Sequence, residues 1–391
     1  MPRELVSEDV AGRAVGFLGE VLDHERQVFP TRVWIVDGKY RTDFSSREDV
    51  LRYSITCFLG LRAASRGRYA REHWLNRIEA RVESFVRGES LPVTRPSDLG
   101  LLLVLTAPNA DLRVHSTSSI RRLRRVVAST GRHELNVQDL SWMLWGAADA
   151  ARGGLPGAHA LAACVYDRLV RDYVEPASAL PEHRPVWWRQ HLVSFGGLSY
   201  YLRAIHEYSV LTREEGPREL FWRGVQAALE VQEPDGAWPW LISAATGRAL
   251  ERYPVFTVHQ VVMAPLFLVP ALEAGIAPAG AALARGAAWV TGANELGLPM
   301  FLESPTFMYR SLKRRELFPR PERYVRAIRR ARSKDLQQVR PRQRAVLDRR
   351  SHTYEWGWLL FAHSEYEGLR RESRPKQRVA GFVDRQAERQ I

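Results

Sequence analysis

Along this chain, helical segments that are apolar most of the way round alternate with segments that are apolar on one side only, which leaves few folds open. Arg52–Ala64, Leu140–Ala151, Gly197–His206, Val258–Leu268 and Tyr354–Ser364 are of the first kind. Tyr69–Val86, Gly157–Val174, Pro217–Val231 and Ala279–Thr291 are of the second. A helix apolar all round has to be enclosed by other elements, whereas a one-sided helix covers a core and faces water. Short connections make neighbouring helices antiparallel, so the buried helices form an inner ring and the amphipathic ones an outer ring. The sequence therefore predicts an all-α barrel of about five to six helical hairpins. It divides the chain into an N-terminal segment, 1–45, that caps the barrel, the barrel over 46–370, and a charged tail, 371–391. Within the first part, Phe29 to Tyr40 has a β-like run ending in an Asp37-Gly38 turn and reads as a short extended segment or hairpin.

One stretch ties this pattern to known architecture. Arg223-Gly-Val-Gln-Ala-Ala-Leu-Glu-Val-Gln232 is an amphipathic helix ending in Gln; Pro234-Asp235-Gly236 then makes a turn, and Trp238 and Trp240 follow. A Gln amide at a helix end can bond backbone groups left unpaired there, Pro-Asp-Gly supplies the turn, and the Trp covers the helix end. Arg285-Gly-Ala-Ala-Trp289 repeats the Arg-Gly opening and reaches its own turn glycine, Gly297. The pattern resembles the QW repeat of the α/α-toroid superfamily, which includes terpenoid cyclases, protein prenyltransferase subunits and six-hairpin glycosidase-like enzymes. The resemblance implies an α/α toroid, with the short extended N-terminal segment outside it.

Three further stretches resemble a narrower, uncharacterised bacterial family often encoded near glycosyltransferases. They are Tyr253-Pro-Val-Phe-Thr-Val-His259-Gln260 with Met263-Ala-Pro265, Arg285 to Gly297, and Tyr354-Glu-Trp-Gly357-Trp358. That family tends to carry an acid and a Gln after Ser-Phe, where Ser194-Phe195 is followed here by Gly196-Gly197-Leu198. It also tends to end a Trp-rich run in His-Tyr-Asp, where this chain has Trp238-Pro-Trp240-Leu-Ile-Ser.

Charge is concentrated. Residues 310–350 hold 16 Lys/Arg against 4 Asp/Glu, nearly the whole of the formal net charge of +13. This basic insertion reads either as a solvated helix with a loop or as a patch for anions, including the surface of an anionic membrane. No nucleic-acid-binding signature accompanies it. Cys57 and Cys164 lie in apolar helical patterns and read as reduced core residues. No basic-then-apolar leader and no uncharged run of bilayer length is present, so a soluble, cytoplasmic protein is expected.

In an α/α toroid the ends of the inner helices line a funnel, so polar and aromatic residues at their N-terminal ends are the candidates. His259, Tyr200, Asp139 and Glu355 are the candidate catalytic groups. His259 could be a general base poised near neutrality, and Glu355 with Asp139 a glycosidase-like pair. Trp142, Trp188, Trp238, Trp240, Gln260, Tyr354, Trp356, Arg52, Arg310 and Arg314 are the candidate substrate contacts. Asp43, Tyr53 and Trp187 stand beside them. Aromatic walls suit sugar rings, which stack on indole faces, and prenyl cations, which π-faces stabilise.

No Asp-x-Asp-Asp acid, no Asp-Asp-x-x-Asp magnesium site and no Asp/Cys/His zinc site is present. No metal or cofactor is expected. The expected function is a hydrolase, lyase or epimerase acting on a saccharide or glycoconjugate, anionic ones included. The alternatives are an unorthodox terpene cyclase binding a prenyl diphosphate near Arg310, and a non-catalytic scaffold or binding subunit of a glycan-assembly system.

Overall fold

The computed structural model describes residues 8–66, 77–87, 95–131, 134–184, 191–315, 319–332 and 345–372. Its helices in chain order are α1 (Glu8–Val21), α2 (Arg47–Ser65), α3 (Ile78–Arg87), α4 (Pro96–Thr106), α5 (Arg113–Ser129), α6 (Val137–Arg152) and α7 (Ala158–Tyr173). There follow α8 (Phe195–Thr212), α9 (Glu215–Val231), α10 (Ala264–Glu273), α11 (Pro278–Thr291), α12 (Pro319–Arg332) and α13 (Thr353–Glu372). A π-helical turn, His259–Met263, leads directly into α10.

Helices α2, α4, α6, α8, α10 and α13 each pack on the next, and α13 returns to α2, so the inner ring closes. Outside it, α3 lies on α2, α5 on α4, α7 on α6, α9 on α8 and α11 on α10. The last outer place is taken by α1, which packs on α13, so the two ends of the described chain complete one hairpin. The fold is an α/α toroid, as the alternation predicts. Helix α4 was not among the five inner helices read from the sequence, although Leu99–Thr106 is buried throughout. Cys57 is buried as expected, but Cys164 is exposed, because it falls on the outward face of α7.

Short strands gather where the inner helices begin. They are β1 (Arg32–Val36), β2 (Lys39–Asp43), β3 (Leu192–Ser194), β4 (Leu241–Ser243), β5 (Ala249–Glu251), β6 (Val255–Phe256), β7 (Phe301–Leu302), β8 (Phe307–Met308), β9 (Ser311–Arg314) and β10 (Ala345–Asp348). Sheet β3-β4-β5 feeds α8, and sheet β10-β9-β6 feeds the π turn and α13. The N-terminal hairpin β1-β2 turns at Asp37 and Gly38, both at positive φ (50° and 72°), the conformation a two-residue hairpin turn requires. Val33 of β1 bridges Ser351, two residues before α13, and the Tyr40 hydroxyl donates to the Thr306 carbonyl at 2.6 Å.

Inner helices approach closely where glycines meet. Gly60 of α2 faces Gly357 of α13, and Gly100 of α4 faces Gly146 of α6; a methyl on any of the four would overlap backbone of the opposite helix. Backbone cannot retreat as a flexible side chain can. Gly60→Ala is therefore expected to lower the unfolding free energy by about 3 kcal/mol, the upper range for overpacking a core. Gly216→Ala, on the open side of α9, has nothing within 4 Å and should be neutral or slightly stabilising. Denaturant unfolding of the two variants side by side checks the contrast.

Candidate active site

Residues four apart on an inner helix share a face, and four such pairs point to the axis of the ring. Arg52 and Thr56 of α2, Gln138 and Trp142 of α6, Gly196 and Tyr200 of α8, and Tyr354 and Trp358 of α13 line one cavity, joined by Tyr53 and Met263. Every one lies in the N-terminal part of its helix, so all these helices start at the same end of the toroid. The cavity holds about 180 Å³, below the ~300–1,000 Å³ of typical small-molecule pockets.

Its aromatic lining is continuous. Tyr200 meets the Trp142 ring edge-on at 4.9 Å, and Trp358 lies 5.9 Å from Tyr200. One turn deeper, Trp145 stacks on Trp358 at 5.6 Å, and the Arg203 guanidinium lies 4.8 Å from the Trp145 ring. Arg203 is 7% exposed and pairs with Glu207 and Glu365, both at 2.6 Å. Arg152 joins through Glu207 and Asp149. Burial and the neighbouring Glu207 push the Asp149 carboxyl up to about 7. The opposite end of the ring is thus filled by charge and indole, and the cavity has a floor.

At the mouth, Arg52 donates from Nε to Asp98 of α4 at 2.8 Å and lies 5.3 Å from the Trp142 ring. Asp98 is 1% exposed; burial raises its carboxyl and Arg52 opposes the rise. On the other side, the Tyr53 hydroxyl is 3.0 Å from His352 Nδ1, and Arg310 bonds His352 Nε2. Burial, reinforced by Arg310, pushes His352 down to about 2, so its ring is neutral. Behind Tyr354, Glu355 is fully buried, with Oε1 lacking a partner among the described residues and Oε2 accepting from the His352 amide at 3.4 Å. Burial pushes its carboxyl up to about 7 against the pull of Arg310. Burial also raises the phenols of Tyr53, Tyr200 and Tyr354, which are therefore neutral donors at neutral pH.

Of the sequence candidates, Arg52, Trp142, Tyr200 and Tyr354 line the cavity, with Glu355 directly behind. The others are placed elsewhere, because adjacent residues on a helix face different ways. Asp139 closes a capping box with Asn136 at the start of α6. His259 lies between the Phe195 and Phe256 rings, each 4.9 Å away, and burial pushes it down to about 3. A base held that low does not take up protons near neutrality. Gln260 donates to the Phe256 carbonyl at 3.2 Å. Trp238 stacks on Phe195 at 4.7 Å, and Trp356 stacks on Phe17 at 4.6 Å, on the outward side of α13. Trp240 packs edge-on against Tyr324 of α12, and Asp43 caps its own loop through the Ser45 amide. Trp187 and Trp188 lie outside the described residues. Tyr53, named beside the main candidates, lines the cavity, whereas Gln138, Trp358, His352 and Asp98 were missed. The signal for the first two was the four-residue spacing from Trp142 and Tyr354.

The Gln232 turn works as a clasp between hairpins. Gln232 donates to the Gly236 carbonyl at 3.1 Å and to Ala282 of α11 at 2.9 Å, and accepts from Arg285 at 2.6 Å. Gly236, at φ 90°, sits so close to the Arg285 backbone that no side chain fits. Much of the basic insertion is also engaged internally. Arg314 and Arg326 pair with buried Glu251 at 3.5 and 3.0 Å, and Lys313 and Arg350 pair with Asp348. Residues 316–318 and 333–344 of that insertion, and 373–391 of the tail, lie outside the described residues.

No helix among the described residues is long and apolar enough to cross a membrane. No protein-family model matches the sequence, and no curated protein does. Solved structures do match the fold. A cellobiose 2-epimerase from Bacillus thermoamylovorans B4167 superimposes with a TM-score of 0.61 at 9% identity, covering 90% of this chain and 95% of that one. An unsaturated glucuronyl hydrolase specific for heparin gives 0.60 at 11% identity, covering 95% and 99%. The GH76A α-1,6-mannanase of Salegentibacter sp. HEL1_6 gives 0.58 at 9% identity, covering 92% and 98%. At such low identities the agreement over nearly the whole chain establishes the shared α/α-toroid architecture.

Proposed function

We propose that this protein is a carbohydrate-active enzyme that works on one sugar ring held in the axial cavity. The carrying observation is the cavity itself: floored, walled by Trp142, Tyr200 and Trp358, and edged by Arg52, Tyr53 and Tyr354. Indole and phenol faces suit the C–H faces of a sugar, while their polar edges and Arg52 suit its hydroxyls. The toroid neighbours named as an epimerase, a glucuronyl hydrolase and a mannanase support the same class. A polyisoprene chain would need a longer and less polar cavity, which weighs against the cyclase alternative.

Within that class, the geometry favours moving a proton on or off the ring, as in epimerisation or elimination, over hydrolysis by two carboxylates. Hydrolysis of that kind needs two acids flanking the bond, and no carboxylate lines the cavity among the described residues. The narrower family resemblance implies an acid after Phe195, where this chain has Gly196, a cavity-lining residue without a side chain. Glu355, with its carboxyl at about 7 beside Tyr354, is suited to change charge during turnover. The missing carboxylate also favours a second reading, a non-catalytic glycan-binding subunit.

Calorimetric titration with a panel of mono- and disaccharides, followed by NMR of each mixture over time, tests this. Trp142→Ala is expected to weaken binding about tenfold, the scale of one lost aromatic contact. Time-dependent change at one ring carbon supports the enzyme, and binding without change supports the subunit. Binding that is unaltered by Trp142→Ala would rule out the cavity as the sugar site.

A further inference from the structure

Hydrogen-bond polarity around the cavity mouth is fixed by groups that can only donate. An arginine has no acceptor, so the bond from Arg310 requires His352 Nε2 to accept. A neutral imidazole accepting at Nε2 carries its proton on Nδ1. That Nδ1–H is 3.0 Å from the Tyr53 oxygen, which therefore accepts, leaving the Tyr53 O–H free to donate into the cavity it lines. Chains of this kind polarise each successive donor.

Across the mouth the pattern repeats. Arg52 gives Nε to Asp98 and NH2, at 3.4 Å, to Ser97 Oγ, and its NH1 has no hydrogen bond among the described residues. Trp142 is a donor only, and its buried Nε1 has no partner among the described residues. Buried donors without acceptors are costly to leave unmatched. A cavity lined by Arg52 and Tyr53, each with a donor left over, and by no carboxylate among its described wall residues is built for an occupant rich in acceptors.

We infer that the ring bound in this cavity carries an anionic group, a carboxylate or a phosphate, seated between Arg52 and Tyr53 beside the Trp142 ring. This rests on the sugar reading above and names its substrate class. Arg52 supplies the charge, held against Trp142 by Asp98. Arg310 and His352 are positioning residues, acting through Tyr53. If the group is a carboxylate, donors that neutralise it make the adjacent ring C–H easier to deprotonate, which suits the proton-transfer chemistry proposed above.

The test is calorimetric titration of the full chain with glucuronate, glucose 6-phosphate and glucose. At least one anion is expected to bind tenfold or more tighter than glucose, and which anion does so separates carboxylate from phosphate. Tyr53→Phe should lower the preferred anion's affinity about tenfold and glucose affinity less, because a hydrogen bond to a charged group is worth more than a neutral one. His352→Phe, which removes the ring nitrogens but leaves the Tyr53 hydroxyl, should give a smaller loss in the same direction. Arg52→Gln combined with Asp98→Asn removes the ion pair without stranding a buried carboxylate, and should abolish the preference. Glucose binding as tightly as both anions overturns the anionic inference and leaves the sugar reading standing. Failure of all three sugars to bind, with the broader saccharide panel also silent, removes both.

Discussion

Glu355→Gln is expected to make the protein more stable at pH 8, by about 3 kcal/mol. An unfolded Glu titrates at 4.5, and burial in the fold pushes Glu355 up to about 7. Between those values the folded state holds a proton that the unfolded state has released, so stability falls as pH rises from 4.5 to 7. A tenfold difference in proton affinity corresponds to ~1.4 kcal/mol, so the gap between the two values gives about 3 kcal/mol in full above pH 7. Gln keeps the shape and can still accept from the His352 amide, but carries no charge. Denaturant unfolding at pH 8 and pH 4.5 reads the effect: the variant should gain at the first and match the wild type at the second. A variant less stable at pH 8 would mean that the carboxylate is well compensated, leaving no reason to single it out for proton transfer. A buried acid that weakens the fold where it is ionised is understandable if activity needs it.

Arg203→Met should show the largest loss, about 3–5 kcal/mol, the usual cost of removing one partner from a buried ion pair. Glu365 would lose its guanidinium partner beneath Trp145, and Glu207 would keep only Arg152. Adding Glu365→Gln should recover much of the loss, because it removes the stranded carboxylate while Glu207 keeps Arg152 as its partner. Equilibrium unfolding at pH 7 measures both steps. A single variant close to wild type would show that the floor of the toroid is not held by this network.

The architecture was legible because it depends on the side of each helix that is apolar, and periodicity carries that directly. Helix α4 escaped because its apolar part is only two turns long, although Pro96 and Asp98 mark its start. Asp98 was lost with it, and so was the reason Arg52 is held in place. The candidate site was read from the ends of the inner helices rather than from their faces. Tyr354 and Trp358 share the cavity face, whereas Trp356, between them, packs on Phe17. Likewise Gln138 and Trp142 face inward while Asp139 caps the helix. His352 could not be ranked from sequence, since its role comes from Tyr53 and Arg310, which are distant along the chain. His259 misled for the opposite reason. A histidine on an apolar helix attracts a catalytic reading, but two flanking phenylalanines explain its neutral state without one.

A crystal structure of the protein soaked with the tightest-binding saccharide of the panel decides the matter. The expected result is one sugar ring on Trp142 and Tyr200, within hydrogen-bonding reach of Arg52 and Tyr53, with any further units leaving through the mouth. A sugar bound instead along the basic helix α12, or an axial cavity still free of sugar at saturating ligand, would contradict a toroid that works on a ring at its axis.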